Sequence, residues 1–343
     1  THTVNPAQHV MLLEKACLDK GVEILYKTTG KRLIANAADE VVGIETYSGD
    51  TTKYIKANKA VIMATGGFTH NAEMLNECIP GMGNVMALSC PGHTGEGHAA
   101  LFQLGGKFSG RPTVYTVQGM HPTSTTMAGY AEMFLYGAIE VNMEGTRHTN
   151  EDLYWGSDRT RSTLAQPGRD GVPIVYQIID QKAYDAAVKA GPPIGLGEST
   201  IALLVKGDTL ADLAEKLNMP NLVATVERYN KDIDEVGYDT HLGRKNMVGV
   251  GTPPITKLDA DGPCYAFENT AWLAYNPTCS FHVNADCQPL DQFGNPMKRV
   301  YAVGEVMLRD VVGDHYMYGL ATGAGGALGL YVGKKAAALE AWS

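Results

Sequence analysis

The sequence predicts an α/β protein in which one domain is interrupted by another. Three observations carry that prediction: an apolar strand ending in glycines near residue 60, a second near residue 300, and a long stretch of different character between them. The chain opens with a helix: Asn5 is its N-cap, Pro6 takes the first helical position, and Val10, Leu13 and Cys17 share a face. It ends at Lys20-Gly21, after which residues 22–26 read as a strand and residues 41–44 as another. Lys59-Ala60-Val61-Ile62-Met63 is continuous and largely apolar, as a strand covered on both faces should be, and it runs straight into Ala64-Thr65-Gly66-Gly67. Residues 121–275 have mixed polarity, few long strands and several helices, among them 210–217 and one carrying Ala224 to Asn230. The proline pairs Pro192-Pro193 and Pro253-Pro254 mark loops there. Arg299 to Val303 form a short strand ending at Gly304-Glu305, and a glycine-rich helix covers 319–338.

The bulk numbers exclude several classes. With 343 residues, 44% hydrophobic and 19% charged, the chain can bury a large core. A net charge of -9 and no basic patch argue against nucleic acid. No apolar run approaches the ~20 residues that span a bilayer. The N-terminus does not read as a secretory signal; a cytoplasmic location is expected, and export through a signal removed upstream stays open. Cys17, Cys78, Cys90, Cys264, Cys279 and Cys287 form no CxxC, so no metal, iron–sulfur or haem site is expected.

A buried strand ending in glycines lets backbone approach a flat or anionic ligand, because no Cβ intervenes. Ala64-Thr65-Gly66-Gly67 suits that role, and a tight turn after a core strand explains it equally well. Val303-Gly304-Glu305 has the same form with a carboxylate added, which accepts from ligand hydroxyls or serves as a surface acid. The cluster from Gly319 to Gly329 lacks a preceding strand and a following acid, so it is no dinucleotide fingerprint. It reads instead as a helix N-terminus aimed at an electron-rich ligand edge.

In combination and order these residues resemble the FAD-binding fumarate reductase/succinate dehydrogenase flavoprotein superfamily, in its soluble reductase and 3-ketosteroid dehydrogenase-like branch. The matching stretches are Lys59 to Phe68 with Asn71, Thr94-Gly95-Glu96-Gly97-His98, His121-Pro122-Thr123, Gly137 to Arg147 with Asn150-Glu151, Thr225 to Asn230, and Tyr301 to Glu305. The resemblance implies a split FAD-binding Rossmann-like domain interrupted by an α+β capping domain. Its expected boundaries are 1–120 for the first part of the FAD domain, 121–276 for the cap, and 277–343 for the return. It implies FAD as cofactor, touched by Gly30, Ala64, Thr65, Gly66, Gly67, Glu96, Glu305, Ala321 and Thr322. The superfamily's GxGxxG start has no counterpart here, so a separate N-terminal chain or segment carrying it is an expected partner.

The sequence leaves the superfamily pattern at the substrate. Of the diacid-gripping residues only His121 is plainly kept. Tyr154, Trp155 and Gly156 stand where the proton-donating arginine is expected, with Arg159 and Arg161 further along. Tyr275-Asn276 falls near the second histidine, Tyr316 at the C-terminal carboxylate-binding arginine, and Ala131 and Phe134 at the acid and arginine of the proton relay. Without those guanidiniums the bidentate carboxylate grip is lost, so fumarate is not the expected substrate. The expected activity is hydride transfer between flavin and an activated carbon–carbon bond of an enone or acrylate-like molecule. His121, Tyr316, Tyr130 and Arg159 are the catalytic candidates; His121, Asn276, Tyr316 and Gly319 the substrate-binding ones. Electrons come from, or go to, a separate partner. The alternatives are a ketosteroid-type dehydrogenase working in the oxidative direction, and a non-catalytic flavin-fold fragment serving as a binding or assembly module.

Overall fold

The computed structural model describes residues 6–78, 82–87, 89–108, 116–124, 127–153, 157–192, 195–248, 251–273, 279–313 and 320–342. Helix α1 (Pro6–Asp19) starts at the expected proline and stops just before Gly21, whose φ of +78° suits the turn that follows. Residues 22–25 are not a strand, contrary to expectation: among the described residues they have no ladder partner, and Val22 and Leu25 are exposed. The first strands are β1 (Thr29–Ala35), β2 (Val41–Ser48) and β3 (Thr51–Lys56), which form an antiparallel meander in the order β1-β2-β3. β4 (Val61–Met63) follows, then α2 (Ala72–Cys78) and α3 (Glu96–Gln103).

The intervening region is built on a sheet that sequence reading did not foresee. β5 (Thr116–Met120) and β6 (Ile139–Asn142) lead to α4 (Ser157–Leu164) and a small hairpin of β7 (Gly168–Arg169) and β8 (Val172–Pro173). β9 (Val175–Asp180), α5 (Gln181–Ala190), α6 (Glu198–Ile201) and β10 (Val205–Gly207) come next, then α7 (Leu210–Leu217), α8 (Leu222–Val236) and β11 (Cys264–Leu273). The ten-residue β11 organises an antiparallel sheet of order β10-β11-β9-β6, with β5 paired to its far end. One core holds Ile139, Val141 and Ile178 against Leu213, Leu222 and Val226; another holds Ile179 and Phe267 against Phe134, Ala183 and Leu196. Helices therefore cover both faces, and every residue of β9 is buried. Local chemistry fixes the helix ends. The Asp180 carboxylate accepts from the Ala183 N–H at 2.8 Å, and Thr209 Oγ1 from the Asp212 N–H at 3.2 Å. Asn218 and Gly237 end α7 and α8 in the left-handed conformation.

The chain then returns. β12 (Val300–Ala302) pairs in parallel with β4, and α9 (Arg309–Val312) and α10 (Leu320–Ala338) complete the lobe. Met63, Leu101, Phe281, Val300, Tyr301, Val306 and Val332 form its core, drawn from both ends of the sequence. β4 is covered on one face only, for Met63 is buried while Ile62 is 40% exposed. Leu164 of α4 packs on a smaller cluster of Phe68, Leu75, Met82 and Cys279, where the inserted region meets the lobe. Among the described residues no helix is long and apolar enough to cross a membrane, and no group of three or more His, Cys, Asp or Glu could hold a metal ion.

Candidate functional site

Parallel pairing of β4 with β12 sets two glycine turns side by side. Val61 lies opposite Val300 and Met63 opposite Ala302, and the Val303 N–H donates to the Met63 carbonyl at 2.9 Å. Both strands therefore end at the same level. Ala64-Thr65-Gly66-Gly67 leaves one and Gly304-Glu305 the other, with Gly66 at φ +70° and Gly304 at φ +76°. A side chain at either position would strain the backbone. α3 closes a third side. Gly97 in its first turn lies so near Thr65 that a Cβ there would stand 1.9 Å from Oγ1. The Thr94 hydroxyl donates to Glu96 at 2.6 Å, which holds a carboxylate where the helix dipole favours it. Ala64, Thr65, Gly66, Gly67, Glu96 and Glu305, named from sequence, thus meet in one place. Gly30 sits in β1 opposite Thr46, and β1 packs against α3. Ala321 and Thr322 lie in the first turn of α10, which packs against the turn Gly304–Met307.

One residue at this site escaped the sequence reading. His93 Nδ1 lies 3.4 Å from Glu305 Oε2, and its Nε2 is 2.6 Å from where a Gly66 Cβ would stand. Burial pushes the Glu305 carboxyl up to about 7, while burial and the nearby His70 hold His93 below the usual imidazole value. An ion pair would move both groups the other way; desolvation outweighs it at both. The available signal was a histidine directly before Thr94-Gly95-Glu96-Gly97.

The arrangement fits a flat, electron-rich group with a hydroxylated tail. Two Cβ-free turns admit close backbone approach, and Glu305 can accept from hydroxyls. His93 Nδ1 is buried with no hydrogen-bond partner among the described residues, 3.4 Å from the Glu305 carboxyl. FAD has that chemistry.

The substrate-side candidates lie in the inserted region. His121 follows β5; its N–H donates to the Gly129 carbonyl at 2.9 Å, and its Nδ1 lies 2.8 Å from Thr123 Oγ1. The half-buried ring stands 5.9 Å from Phe267, and burial lowers its pKa. Tyr130 bridges to Met120, so it is beside His121. Arg159 is buried: its Nη2 donates to Glu140 Oε2 at 3.1 Å, and its guanidinium lies 3.9 Å from the Phe134 ring centroid. Tyr316, Asn276 and Gly319, with Tyr154, Trp155 and Gly156, lie outside the described residues.

The motif around Gly137–Arg147 and Asn150-Glu151 forms a buried ionic network. Arg147 pairs with Glu151 and, at 2.8 Å, with Asp239; Arg244 Nη1 lies 3.4 Å from Glu151, which also accepts from the Glu140 N–H at 2.7 Å. Burial alone would raise the Glu151 pKa, but Arg147 and Arg244 hold it down to about 2. These ion pairs tie the inserted region together.

Comparison with known proteins agrees with the geometry. Residues 1–327 match the FAD binding domain family. A probable fumarate reductase, Ifc3, of Shewanella frigidimarina is 27% identical over 305 residues, covering 86% of this chain and 47% of its own. A urocanate reductase of Eggerthella lenta is 28% identical over 310 residues, covering 83% and 46%. The chain thus spans about half the length of these curated relatives. The solved structure of 3-ketosteroid delta1-dehydrogenase from Sterolibacterium denitrificans superposes with a TM-score of 0.71 at 22% identity, over 95% of this chain and 62% of that one, a likeness of fold. With two glycine turns meeting at Glu305 and a family match that runs over nearly its whole length, the chain belongs to the FAD binding domain family.

Proposed function

We propose that the chain is the flavin-holding and capping part of an FAD-dependent oxidoreductase. It transfers a hydride between flavin and an activated carbon–carbon bond of an enone or acrylate-like substrate, with fumarate disfavoured. The observation that carries this reading is the meeting of the β4 and β12 glycine turns with Glu305 beside the first turn of α3. A urocanate reductase and a probable fumarate reductase among the relatives support reduction of a double bond.

FAD supplies the hydride donor or acceptor when bound. Glu305, Glu96 and the backbone of Thr65, Gly66 and Gly67 would hold it, with Gly30, Ala64, Ala321 and Thr322 around them. His121 has its Nδ1 engaged by Thr123, so it would bind substrate through Nε2. Asn276, Tyr316 and Gly319 would complete the pocket. The proton moves to or from a tyrosine hydroxyl, that of Tyr130 or Tyr316. The commitment of Arg159 to Glu140 and Phe134 favours the tyrosines over it. A segment carrying GxGxxG would supply the pyrophosphate turn; the exposed apolar side chains of α1 and α10, Val10, Leu13 and Leu330, support its packing there. A separate electron carrier would complete the cycle.

The test is flavin absorbance in the intact protein, followed by enone-dependent reoxidation after anaerobic reduction. A colourless protein that takes up no FAD refutes the proposal. Turnover of a cyclic ketone with an artificial acceptor, and none of an enone, would replace it with the oxidative reading.

A further inference from the structure

We propose that His93 is a cofactor-positioning residue: when FAD binds, its imidazole, seated over Gly66, donates from Nδ1 to Glu305 and aims that carboxylate at the hydroxylated tail of FAD. The proposal depends on FAD uptake and not on the reaction proposed above.

The geometry leaves the ring little choice of role. One edge faces the backbone of Gly66, where even a methyl group would come within 2.6 Å of Nε2. The opposite edge presents Nδ1 to Glu305 at 3.4 Å. The main chain on either side is fixed, since the His93 N–H donates to the Cys90 carbonyl and its own carbonyl accepts from the His70 N–H, both at 2.9 Å. Thr94, the next residue, is bound to Glu96. The ring is therefore held between two cofactor-facing turns by backbone contacts from both directions, yet Nδ1 has no hydrogen-bond partner among the described residues. A buried donor left so is costly unless a ligand rearrangement satisfies it.

Burial, with a smaller contribution from nearby His70, favours the neutral imidazole of His93. Neutral imidazole with its proton on Nδ1 is a donor toward Glu305. Glu305, raised to about 7 by burial, accepts from both His93 and a ligand hydroxyl most strongly when ionised. Binding that favours the ionised form releases a proton, so FAD affinity rises as pH passes upward through about 7.

The experiment uses the intact flavoprotein, stripped of FAD and titrated with it while flavin fluorescence is followed between pH 6 and 8. His93→Ala is expected to weaken binding at pH 8 by about three- to tenfold, the loss of one hydrogen bond, and to move the pH midpoint upward. His93→Asn, whose amide overlays Nδ1, is expected to restore most of the affinity; His93→Gln, whose amide overlays Nε2, is not. The ring nitrogen resonances of His93 should also shift on FAD addition. Equal affinity and pH profile in wild type and His93→Ala would overturn the proposal, as would ring resonances unmoved by FAD. Should His93→Ala fail to fold, the Asn and Gln variants and the resonances decide alone. FAD uptake that follows this pattern without any turnover leaves the inference standing and the proposed reaction refuted.

Discussion

Replacing Arg159 with leucine should destabilise the protein by leaving a carboxylate buried without its cation. The Arg159 and Glu140 side chains are 2% and 0% exposed and meet at 3.1 Å. Once the guanidinium is gone, Glu140 keeps Thr163 Oγ1 at 3.5 Å and His148 Nε2 at 3.6 Å, both too far to replace it. Burial also keeps His148 below its usual pKa, so it offers no ready charge. Breaking a buried pair from one side costs about 3–5 kcal/mol. For 343 residues the unfolding entropy is about 0.7 kcal/mol per kelvin, so the midpoint should fall by about 4–7 °C. Removing both charges in Glu140→Gln/Arg159→Leu should return about half of that loss. Calorimetry and denaturant titration on the two single variants and the double variant give the coupling directly. An Arg159→Leu variant that melts with wild type would refute the argument. So would single-variant losses that simply add.

Three further outcomes follow from the site. Gly66→Ala adds a methyl group at φ +70° against His93, and Gly97→Ala drives one into Thr65. Each should lower stability by about 1–3 kcal/mol and weaken FAD uptake, read by thermal melts and fluorescence titration. Glu305 and Glu132 are both raised to about 7, burial being the main cause. Folding therefore disfavours their charged forms, and stability falls as pH climbs from the unfolded carboxylate value toward about 7. Glu305→Gln should accordingly raise the melting point of the FAD-free protein at pH 8 and leave it unchanged at pH 4; a rise of equal size at both values would contradict this. His98 is fully buried among Phe68, Phe108 and Phe281, and burial depresses its pKa to about 3. The unfolded chain then takes up the extra proton, so stability drops as pH falls below about 6.5. His98→Phe should flatten that acid limb, measured as the denaturation midpoint from pH 7 to pH 4.

The glycine turns were legible because two apolar runs each end in glycine, and their order along the chain with the neighbouring motifs resembled one superfamily. The large sheet was not. β11 reads Cys-Tyr-Ala-Phe-Glu-Asn-Thr-Ala-Trp-Leu, and the polar centre hides a strand in which Asn269 and Thr270 are wholly buried. In β9 the buried Gln177 bonds the Met133 N–H and the Ala131 carbonyl, a use that only the tertiary fold creates. Arg159, read from sequence as a catalytic candidate, hid its pairing for the same reason: its partner Glu140 is 19 residues away on a different element. His93 was passed over because its importance comes from Gly66 and Glu305, which approach it from distant parts of the chain.

The parallel pair β4–β12 joins residues about 240 positions apart, so its formation has a consequence for biosynthesis. Val300 can meet Val61 only once every residue between them has been made, whereas the inserted sheet, with cores of its own, can fold before that. Folding of that insert shortens the effective loop that β4 and β12 must close, and so lowers its entropic cost. The β4–β12 side of the cofactor cradle can therefore close only after the insert has had its chance to fold.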